Sequence, residues 1–324
     1  MARGYVTGET TEAAVAALKE GLLPRLLESW IEPSQVLGWL SRNFSPQSLD
    51  STPAAVCAAE IALLDLAGQA TGQPLSAFLG PGFSGELVYS AVLPLTDLKT
   101  LKALLGQTKK LGLTQVKVKV GRADDQERVA LVRQILGPKA GLRLDANGAW
   151  SAKEAVAKIK ALAPFGIEAV EQPVAKEDIE GLKQVSREVE VLVLADESVC
   201  TASQAARLIE AKAVGGFNLR LAKCGGPARL LQMLKLARQA GLACQLGCQV
   251  GELGLLSAAG RHLAQAQEFL FLEGSLTRFI LDQDVIAEDL SFGQAGLATR
   301  LAGPGLGVRV AEANLASSHL FSLS

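Results

Sequence analysis

Histidine and cysteine are scarce in this chain, and their scarcity excludes several kinds of site. Of 324 residues, two are histidine and five are cysteine. Two histidines leave few ways to build a His-rich zinc site or a Ser-His-Asp triad. The cysteines are odd in number and form no Cys-x-x-Cys pair. A reducing, cytoplasmic compartment is therefore expected rather than a disulfide framework.

Net charge is also nearly absent. The 32 basic and 33 acidic residues leave a formal charge of −1, which gives no electrostatic reason to expect nucleic acid or a membrane as a partner. The sequence shows no signal-peptide pattern, and none of its apolar runs is long enough to span a membrane. The hydrophobic content of 49% is enough for a large core. We expect a globular enzyme whose apolar helices favour a homo-oligomer.

The sequence divides into a helical N-terminal region and a longer rhythmic region. A run from Thr10 to about Ser29 has leucines at helical spacing. A second helix is predicted to start after Ser51-Thr52-Pro53, with a hydroxyl cap before the proline, and to stop at Gly72. Glycine and proline at 80–85 predict a boundary. The expected units are residues 1–85, 86–302 and 303–324.

Eight short apolar runs, each followed by a helical pattern, fill the second region. They are residues 87–93, 116–120, 142–145, 168–171, 191–196, 217–221, 242–247 and 269–272. From the second run onward, the residues near the run ends are 24 to 27 positions apart: Lys119, Asp145, Glu171, Asp196, Arg220, Gly247 and Glu273. Such a period predicts an α/β fold with a TIM-type (β/α) barrel. An open doubly wound sheet would need a Gly-rich loop after its first strand, and none is present.

Acidic residues stand at the ends of three successive predicted strands: Asp145, Glu171 and Asp196. In a parallel barrel these ends meet at one rim, where active sites lie. One carboxylate there could be a helix cap or half of a surface ion pair, but three together repel one another unless a cation lies between them. An all-oxygen ligand set favours Mg²⁺, with Mn²⁺ as the alternative, over zinc.

Two lysines share one face of the preceding strand. Side chains alternate in Val116-Lys117-Val118-Lys119-Val120, so Lys117 and Lys119 point to the same side. They could simply extend into solvent at the strand end. If they point into the barrel mouth, neighbouring positive charge lowers a lysine pKa and makes a general base. Such a base beside a divalent ion can remove a proton α to a carboxylate, with the enediolate stabilised by the metal.

Four ordered motifs resemble the muconate-lactonising branch of the enolase superfamily. They are Lys117-Val118-Lys119, Asp145-Ala146-Asn147, Glu171-Gln172-Pro173 and Ala195-Asp196-Glu197-Ser198. The branch includes muconate cycloisomerases, o-succinylbenzoate synthases and dipeptide epimerases. Residues 6–10 and 65–68 are similar to its capping domain, and residues 303–307 to its C-terminal segment, which returns to the cap. The resemblance implies a barrel with a partial, mainly helical α+β capping domain.

The resemblance also implies roles for individual residues. Asp145, Glu171 and Asp196 would bind Mg²⁺, Lys119 would be the base, and Lys117 would help to bind the substrate carboxylate. Glu197, Asn147, Asn218 and Lys223 would support these groups, and Asn147 would also lie near the substrate. Loops carrying Glu252 and Glu273 resemble pocket-lining loops, although both residues could equally be solvated carboxylates. His262 and the cysteines are expected to pack rather than react.

The sequence departs from the branch in three places. Arg220 stands where the branch has its sixth-strand lysine, and arginine is not deprotonated in proteins, so it cannot act as the second base of an epimerisation. It can still stabilise or bind negative charge. Lys223 could replace that lysine only through a shifted register. Glu273 stands where dipeptide epimerases carry an Asp-x-Asp motif for the substrate ammonium. The sequence begins just before Val6, so the N-terminal sheet and lid of the cap are expected to be missing.

The sequence therefore predicts a Mg²⁺-dependent isomerase or lyase acting on a small carboxylate, with Lys119, Lys117 and Arg220 as catalytic residues. One-base cycloisomerisation or elimination, of the muconate or o-succinylbenzoate kind, is preferred because of Arg220. Dipeptide epimerisation, of the L-Ala-D/L-Glu type, is one alternative. A metal-binding homologue with impaired catalysis is another.

Overall fold

Short helices packed on one long helix make up the N-terminal part of the protein. This computed structural model describes residues 4–44, 49–280 and 282–315. The helices are α1 (Gly4–Thr7), α2 (Thr11–Ala16), α3 (Leu23–Leu27), α4 (Val36–Asn43), α5 (Pro53–Thr71) and α6 (Ser76–Leu79). The helical character predicted for this region is confirmed.

The predicted helix from Thr10 to about Ser29 is interrupted. The Thr10 hydroxyl accepts the amide of Ala13 at 3.2 Å and caps α2, but a π-helical segment, Ala17–Leu22, separates α2 from α3. Pro24 lacks the amide hydrogen that would bond the carbonyl four residues earlier. A regular α-helix therefore cannot continue unbroken through this stretch.

The cap of α5 differs from the prediction. Thr52 makes no side-chain cap hydrogen bond. Instead, the carboxylate of Glu9 accepts the amides of Ala54 at 2.7 Å and Ala55 at 3.1 Å. A carboxylate here satisfies free amides and complements the helix dipole. Glu9 therefore ties the first residues of the described chain to α5.

The limits of α5 are as predicted, since it ends at Gly72 in a left-handed conformation (φ 67°). With 19 residues, α5 is long and apolar enough to cross a membrane by length and composition alone. However, 56% of its apolar stretch is buried inside the protein, as in the core helix of a folded domain.

Eight parallel strands form the predicted barrel. They are β1 (Ala91–Leu93), β2 (Gln115–Lys119), β3 (Gly141–Asp145), β4 (Ile167–Glu171), β5 (Leu192–Ala195), β6 (Gly216–Leu219), β7 (Ala243–Leu246) and β8 (Phe271–Leu272). Each strand pairs with the next in chain order. The barrel closes where the amide of Ser90 donates to the carbonyl of Leu272 at 2.9 Å. The first strand is shorter than predicted because Val88 and Tyr89 form only single bridges, to Leu297 and Leu272.

Helices surround the barrel. They are α7 (Leu98–Lys110), α8 (Asp125–Leu136), α9 (Ala152–Leu162), α10 (Ile179–Glu188), α11 (Ala202–Ala211), α12 (Leu221–Cys224), α13 (Pro227–Gln239), α14 (Gly254–Ala266), α15 (Thr277–Ile280) and α16 (Glu312–Leu315). Four of them start at a side chain that accepts a backbone amide: Asp97, Ser151, Asp178 and Thr201.

Alternation along the strands decides which side chains enter the barrel. The valines of β2 and the leucines of β3 are fully buried between the strands and the helices. Their neighbours in sequence therefore face the barrel interior. These neighbours are charged: Lys117, Lys119, Arg143 and Asp145.

The C-terminal segment contacts α5. A Cβ atom on Gly68 of α5 would lie 2.5 Å from the Cα atom of Gly305, so only glycine allows this approach. The amide of Leu306 also donates to Asp65 at 2.7 Å. His262 of α14 is fully buried and its Nε2 lies 3.0 Å from the carbonyl of Leu306, which agrees with a packing role. Residues 316–324 lie outside the described residues.

Candidate active site

Three charged residues form one layer at the C-terminal ends of β2, β3 and β4. Lys119 is paired in register with Asp145, and Asp145 with Glu171. The ammonium of Lys119 lies 3.0 Å from Oδ2 of Asp145 and also donates to the amide oxygen of Asn147. The Lys119 side chain keeps 26% of its surface exposed, whereas that of Asp145 keeps 3%. The base predicted from the sequence thus faces the open end of the barrel.

Lys117 lies one layer deeper and joins opposite sides of the barrel. Its ammonium is 3.1 Å from Glu171 of β4, 2.7 Å from Glu273, which follows β8, and 3.7 Å from Asp145. Burial alone would lower the pKa of Lys117, but the three carboxylates outweigh it and raise the pKa well above its usual value. The prediction of a lowered lysine pKa is therefore wrong for Lys117, because its neighbours are mainly anions.

Glu171 is the most enclosed of the three predicted ligands. It accepts hydrogen bonds from Asn218 at 2.7 Å and Gln245 at 3.0 Å in addition to Lys117. Burial raises the pKa of Glu171 to about 8; Lys117 offsets part of this shift, and the nearby carboxylates of Asp145 and Asp196 add to it. The charges of Asp145 and Asp196 therefore act on the pKa of Glu171, as expected if the three strand ends converge.

Asp196 follows β5 and is held by two cations. The guanidinium of Arg220 contacts both of its oxygens, with Nε 2.9 Å from Oδ1 and Nη2 in close contact with Oδ2. The ammonium of Lys223 lies 2.8 Å from Oδ1. Burial would raise the pKa of Asp196, but Arg220 and Lys223 hold it well below its usual range.

Lys223 is a structural lysine rather than a replacement for the missing base. Strand β6 pairs with β7 in unbroken register up to Leu219, so Arg220 keeps the position at the strand end and Lys223 lies in α12. The Lys223 side chain is fully buried. Besides Asp196 Oδ1, its ammonium donates to the carbonyls of Asp196 and Asn218, each at 2.7 Å. With three acceptors, it has no proton directed at the barrel mouth.

Glu197 and Asn147 stand beside the metal-ligand candidates. Asn147 adopts a left-handed conformation (φ 45°) and donates from Nδ2 to Oε1 of Glu197 at 3.1 Å. Arg220 also approaches Glu197 at 3.7 Å. The other oxygen of Glu197, Oε2, is buried without a hydrogen-bond partner. Both residues thus lie beside the charged groups of the barrel mouth, and their supporting role stays a prediction.

Glu252 lies in the wall of a narrow pocket that also includes Arg220, Glu273 and Tyr89. It accepts the amide of Gln249 at 3.1 Å and the hydroxyl of Ser257 at 3.0 Å. Burial raises the pKa of Glu252 to about 7, and these two hydrogen bonds offset part of the shift. Glu273 is buried, and Glu252 is half-buried with two hydrogen bonds, so neither is a fully solvated loop carboxylate.

Arg143 was not predicted as a site residue, and Gln172 was named only as part of a motif, without a role. Arg143 is fully buried, donates to Glu273 at 2.8 Å and stacks on the Phe271 ring at 4.1 Å. It shares the inner face with Asp145 two residues later, so strand alternation could have indicated it. Gln172 (φ 39°) accepts the amide of Asp196 at 2.9 Å and so fixes the end of β5. Its role depends on contacts that the sequence does not show.

The donor chemistry of the site fits Mg²⁺ or Mn²⁺. Asp145, Glu171 and Asp196 are buried oxygen donors on consecutive strands, and such ligands suit a hard divalent cation. Within the ranges that the structure describes, no three His, Cys, Asp or Glu side chains are already arranged as a ready-made metal site. Each of the three carboxylates is instead turned toward its own lysine or arginine.

The fold and the site define a (β/α)-barrel enzyme with carboxylates and lysines at its C-terminal rim. The family model for the enolase C-terminal domain-like family matches residues 100–314. The chain therefore belongs to the enolase superfamily, and its relatives place it in the muconate-lactonising branch. The predicted fold and family are both confirmed.

Dipeptide epimerases and muconate lactonising enzymes are among its relatives. A hydrophobic dipeptide epimerase of Enterococcus faecalis is 38% identical over 232 residues, which are 71% of this chain and 64% of the relative. A dipeptide epimerase structure from the same organism, complexed with Mg and the dipeptide L-Leu-L-Tyr, has a TM-score of 0.84 at 31% identity, covering 95% of this chain and 86% of that one. Muconate lactonizing enzyme from Klebsiella pneumoniae has a TM-score of 0.86 at 29% identity, covering 97% and 87%.

Proposed function

We propose that this chain is a Mg²⁺-dependent enzyme that removes the proton α to the carboxylate of a dipeptide-like substrate. The observation that carries the proposal is the position of Lys119, a half-buried lysine at the barrel mouth. Its ammonium lies 3.0 Å from Asp145, the first of the three carboxylates that stand at strand ends. The similarity to dipeptide epimerases supports the substrate class. The preference for cycloisomerisation over epimerisation, drawn from the sequence, has less support from these relatives.

Each residue contributes a distinct step in this proposal. A divalent ion held by Asp145, Glu171 and Asp196 would stabilise the negative charge that develops on the substrate carboxylate. Lys119 accepts the α-proton. Lys117 holds Glu171 in place and directs positive charge toward the substrate carboxylate. Glu273 positions Lys117, and Arg143 in turn holds Glu273.

Glu252 is the group that we assign to the substrate ammonium. Glu273 is already paired with Lys117 and Arg143, whereas Glu252 receives only neutral donors in its hydrogen bonds. A half-buried carboxylate whose hydrogen-bond partners are neutral is stabilised by a cationic group from the substrate. N-acetylation of a dipeptide should therefore slow the wild-type reaction and have little further effect in a Glu252→Gln variant.

A one-base reaction, such as cycloisomerisation or elimination, is the second candidate, and Arg220 favours it. The guanidinium fills the sixth-strand position and cannot serve as a proton acceptor.

For either reaction we also propose that the substrate is a small carboxylate, that the protein is cytoplasmic and that it forms a homo-oligomer.

The decisive experiment is solvent exchange. Wild-type protein with Mg²⁺ is incubated in deuterium oxide with a panel of L,L-dipeptides and, separately, with muconate-type acids, and the products are followed by proton NMR and chiral chromatography. Deuterium at the α-carbon of a dipeptide supports the proposal. Turnover of the acids alone supports the second candidate, and no exchange with either panel identifies a catalytically impaired homologue.

A further inference from the structure

Asp196 differs from the other two carboxylates in the kind of cation that holds it. Asp145 meets the single-point ammonium of Lys119, whose side chain is 26% exposed, and lies 3.7 Å from the ammonium of Lys117. Asp196 meets a guanidinium fork that contacts both of its oxygens. The planar fork matches a carboxylate far better than an ammonium does, and it stays charged under all ordinary conditions.

Arg220 is also fixed from its other side. Its side chain is 8% exposed, and Nη1 donates to the side-chain oxygen of Gln249 at 3.2 Å. The ammonium of Lys223 also donates a hydrogen bond to Oδ1 of Asp196 at 2.8 Å. A carboxylate can accept hydrogen bonds along about four lone-pair directions. In Asp196, three of these directions already point at cations.

The carboxylates around the barrel mouth are already paired with cations without a metal ion. Five carboxylates and five cations pack together: Asp145, Glu171, Asp196, Glu197 and Glu273 against Lys117, Lys119, Arg143, Arg220 and Lys223. A divalent ion adds two positive charges next to a guanidinium that can neither lose its proton nor rotate easily away.

We propose that Arg220 is a built-in competitor of the metal ion for Asp196, so that this chain binds divalent cations more weakly than the same chain with a neutral residue at position 220. The inference rests on the metal site of the proposed function but not on its reaction. Arg220 would therefore raise the concentration of free cation that is needed to fill the site.

Mn²⁺ binding to the full chain tests the inference. Free Mn²⁺ is measured by electron paramagnetic resonance during titration of wild type, Arg220→Gln and Arg187→Gln, the last removing a remote exposed arginine of α10. We expect Arg220→Gln to bind Mn²⁺ at least tenfold more tightly than wild type, and Arg187→Gln to equal wild type. Asp196→Asn should weaken binding in both the wild-type and the Arg220→Gln background.

Arg220→Lys serves as a second variant if Arg220→Gln does not fold. A single-point ammonium releases one oxygen of Asp196, so its Mn²⁺ affinity should be severalfold higher than that of wild type. Equal or weaker binding in the folded variants overturns the inference. The outcome is distinguishable from failure of the proposed function, because Mn²⁺ affinity is measured without substrate and α-proton exchange is measured separately.

Discussion

The ammonium of Lys119 lies 3.0 Å from Oδ2 of Asp145, its register partner on the neighbouring strand. This contact places the proposed base beside a proposed metal ligand. The side chains of Lys117 and Lys223 keep 5% and 0% of their surface exposed, compared with 26% for Lys119. Of these three lysines, Lys119 is the one with access to a substrate.

Replacing Lys119 should remove catalysis and leave the fold intact. A positioned general base contributes about 10² to 10⁴ in rate, so we expect Lys119→Met to lose at least about a hundredfold of α-proton exchange, measured by NMR in deuterium oxide. Lys153→Met, which changes an exposed lysine of α9, should keep the wild-type rate. Exchange in Lys119→Met at the wild-type rate would exclude Lys119 as the base.

Replacing Arg220 with lysine should add a second base. Lysine can lose its proton in a suitable environment whereas arginine cannot, so Arg220→Lys should produce the inverted epimer of a dipeptide. Wild type should exchange the α-proton with retention, and chiral chromatography separates the two outcomes. Rapid inversion by the wild-type protein would show that another group supplies the second proton transfer.

Removing the charge of Lys223 should destabilise the protein. Lys223→Met leaves Asp196 with one fewer partner in a buried site, and breaking a buried ion pair from one side costs about 3–5 kcal/mol in free energy of unfolding. Urea unfolding measures this loss, and Lys235→Met on the exposed side of α13 should change stability little. A loss well below 1 kcal/mol for Lys223→Met would mean that Arg220 alone satisfies Asp196.

Glu60 should make stability depend on pH. Burial in α5 raises the pKa of Glu60 to about 8, although the amide of Ala228 and the charge of Arg229 offset part of the shift. The folded state thus keeps a proton that the unfolded chain releases near pH 4.5. Between these values, stability falls as pH rises, by up to about 1.4 kcal/mol per pH unit from this group.

The Glu60→Gln variant should lack the part of the loss of stability with rising pH that Glu60 causes. Its free energy of unfolding, measured in urea from pH 5 to 9, should fall less steeply than that of wild type, and the difference should favour the variant most above pH 8. Parallel curves for the two proteins would mean that Glu60 is ionised in the folded protein throughout this range.

Much of the architecture could be predicted because it depends on local patterns. The regular spacing of short apolar runs predicted all eight strands, and Gly72 marked the end of α5. The errors have physical causes that a propensity pattern does not include. Pro24 removed a helix donor, and Glu9 capped α5 from 45 residues away.

The charged residues at the strand ends could be predicted from the sequence, but their contacts could not. The charged strand ends were found because they stand out in an apolar strand pattern. Arg143 could not be found in this way because it lies two residues before the strand end, where a charged residue does not mark the barrel rim. The raised pKa of Lys117 could not be inferred, since it depends on three carboxylates from three different strands.

The amino-acid sequence by itself determined the strand and helix alternation, the barrel, the family and the set of charged residues at the rim, because periodicity and motif order are properties of neighbouring residues. Only the tertiary structure decided which cation meets which carboxylate. Lys117 bonds Glu273 across 156 residues and Arg220 bonds Asp196 across 24. Such pairings depend on barrel closure and on the register of separate strands, where differences of a few ångströms select one buried partner over another.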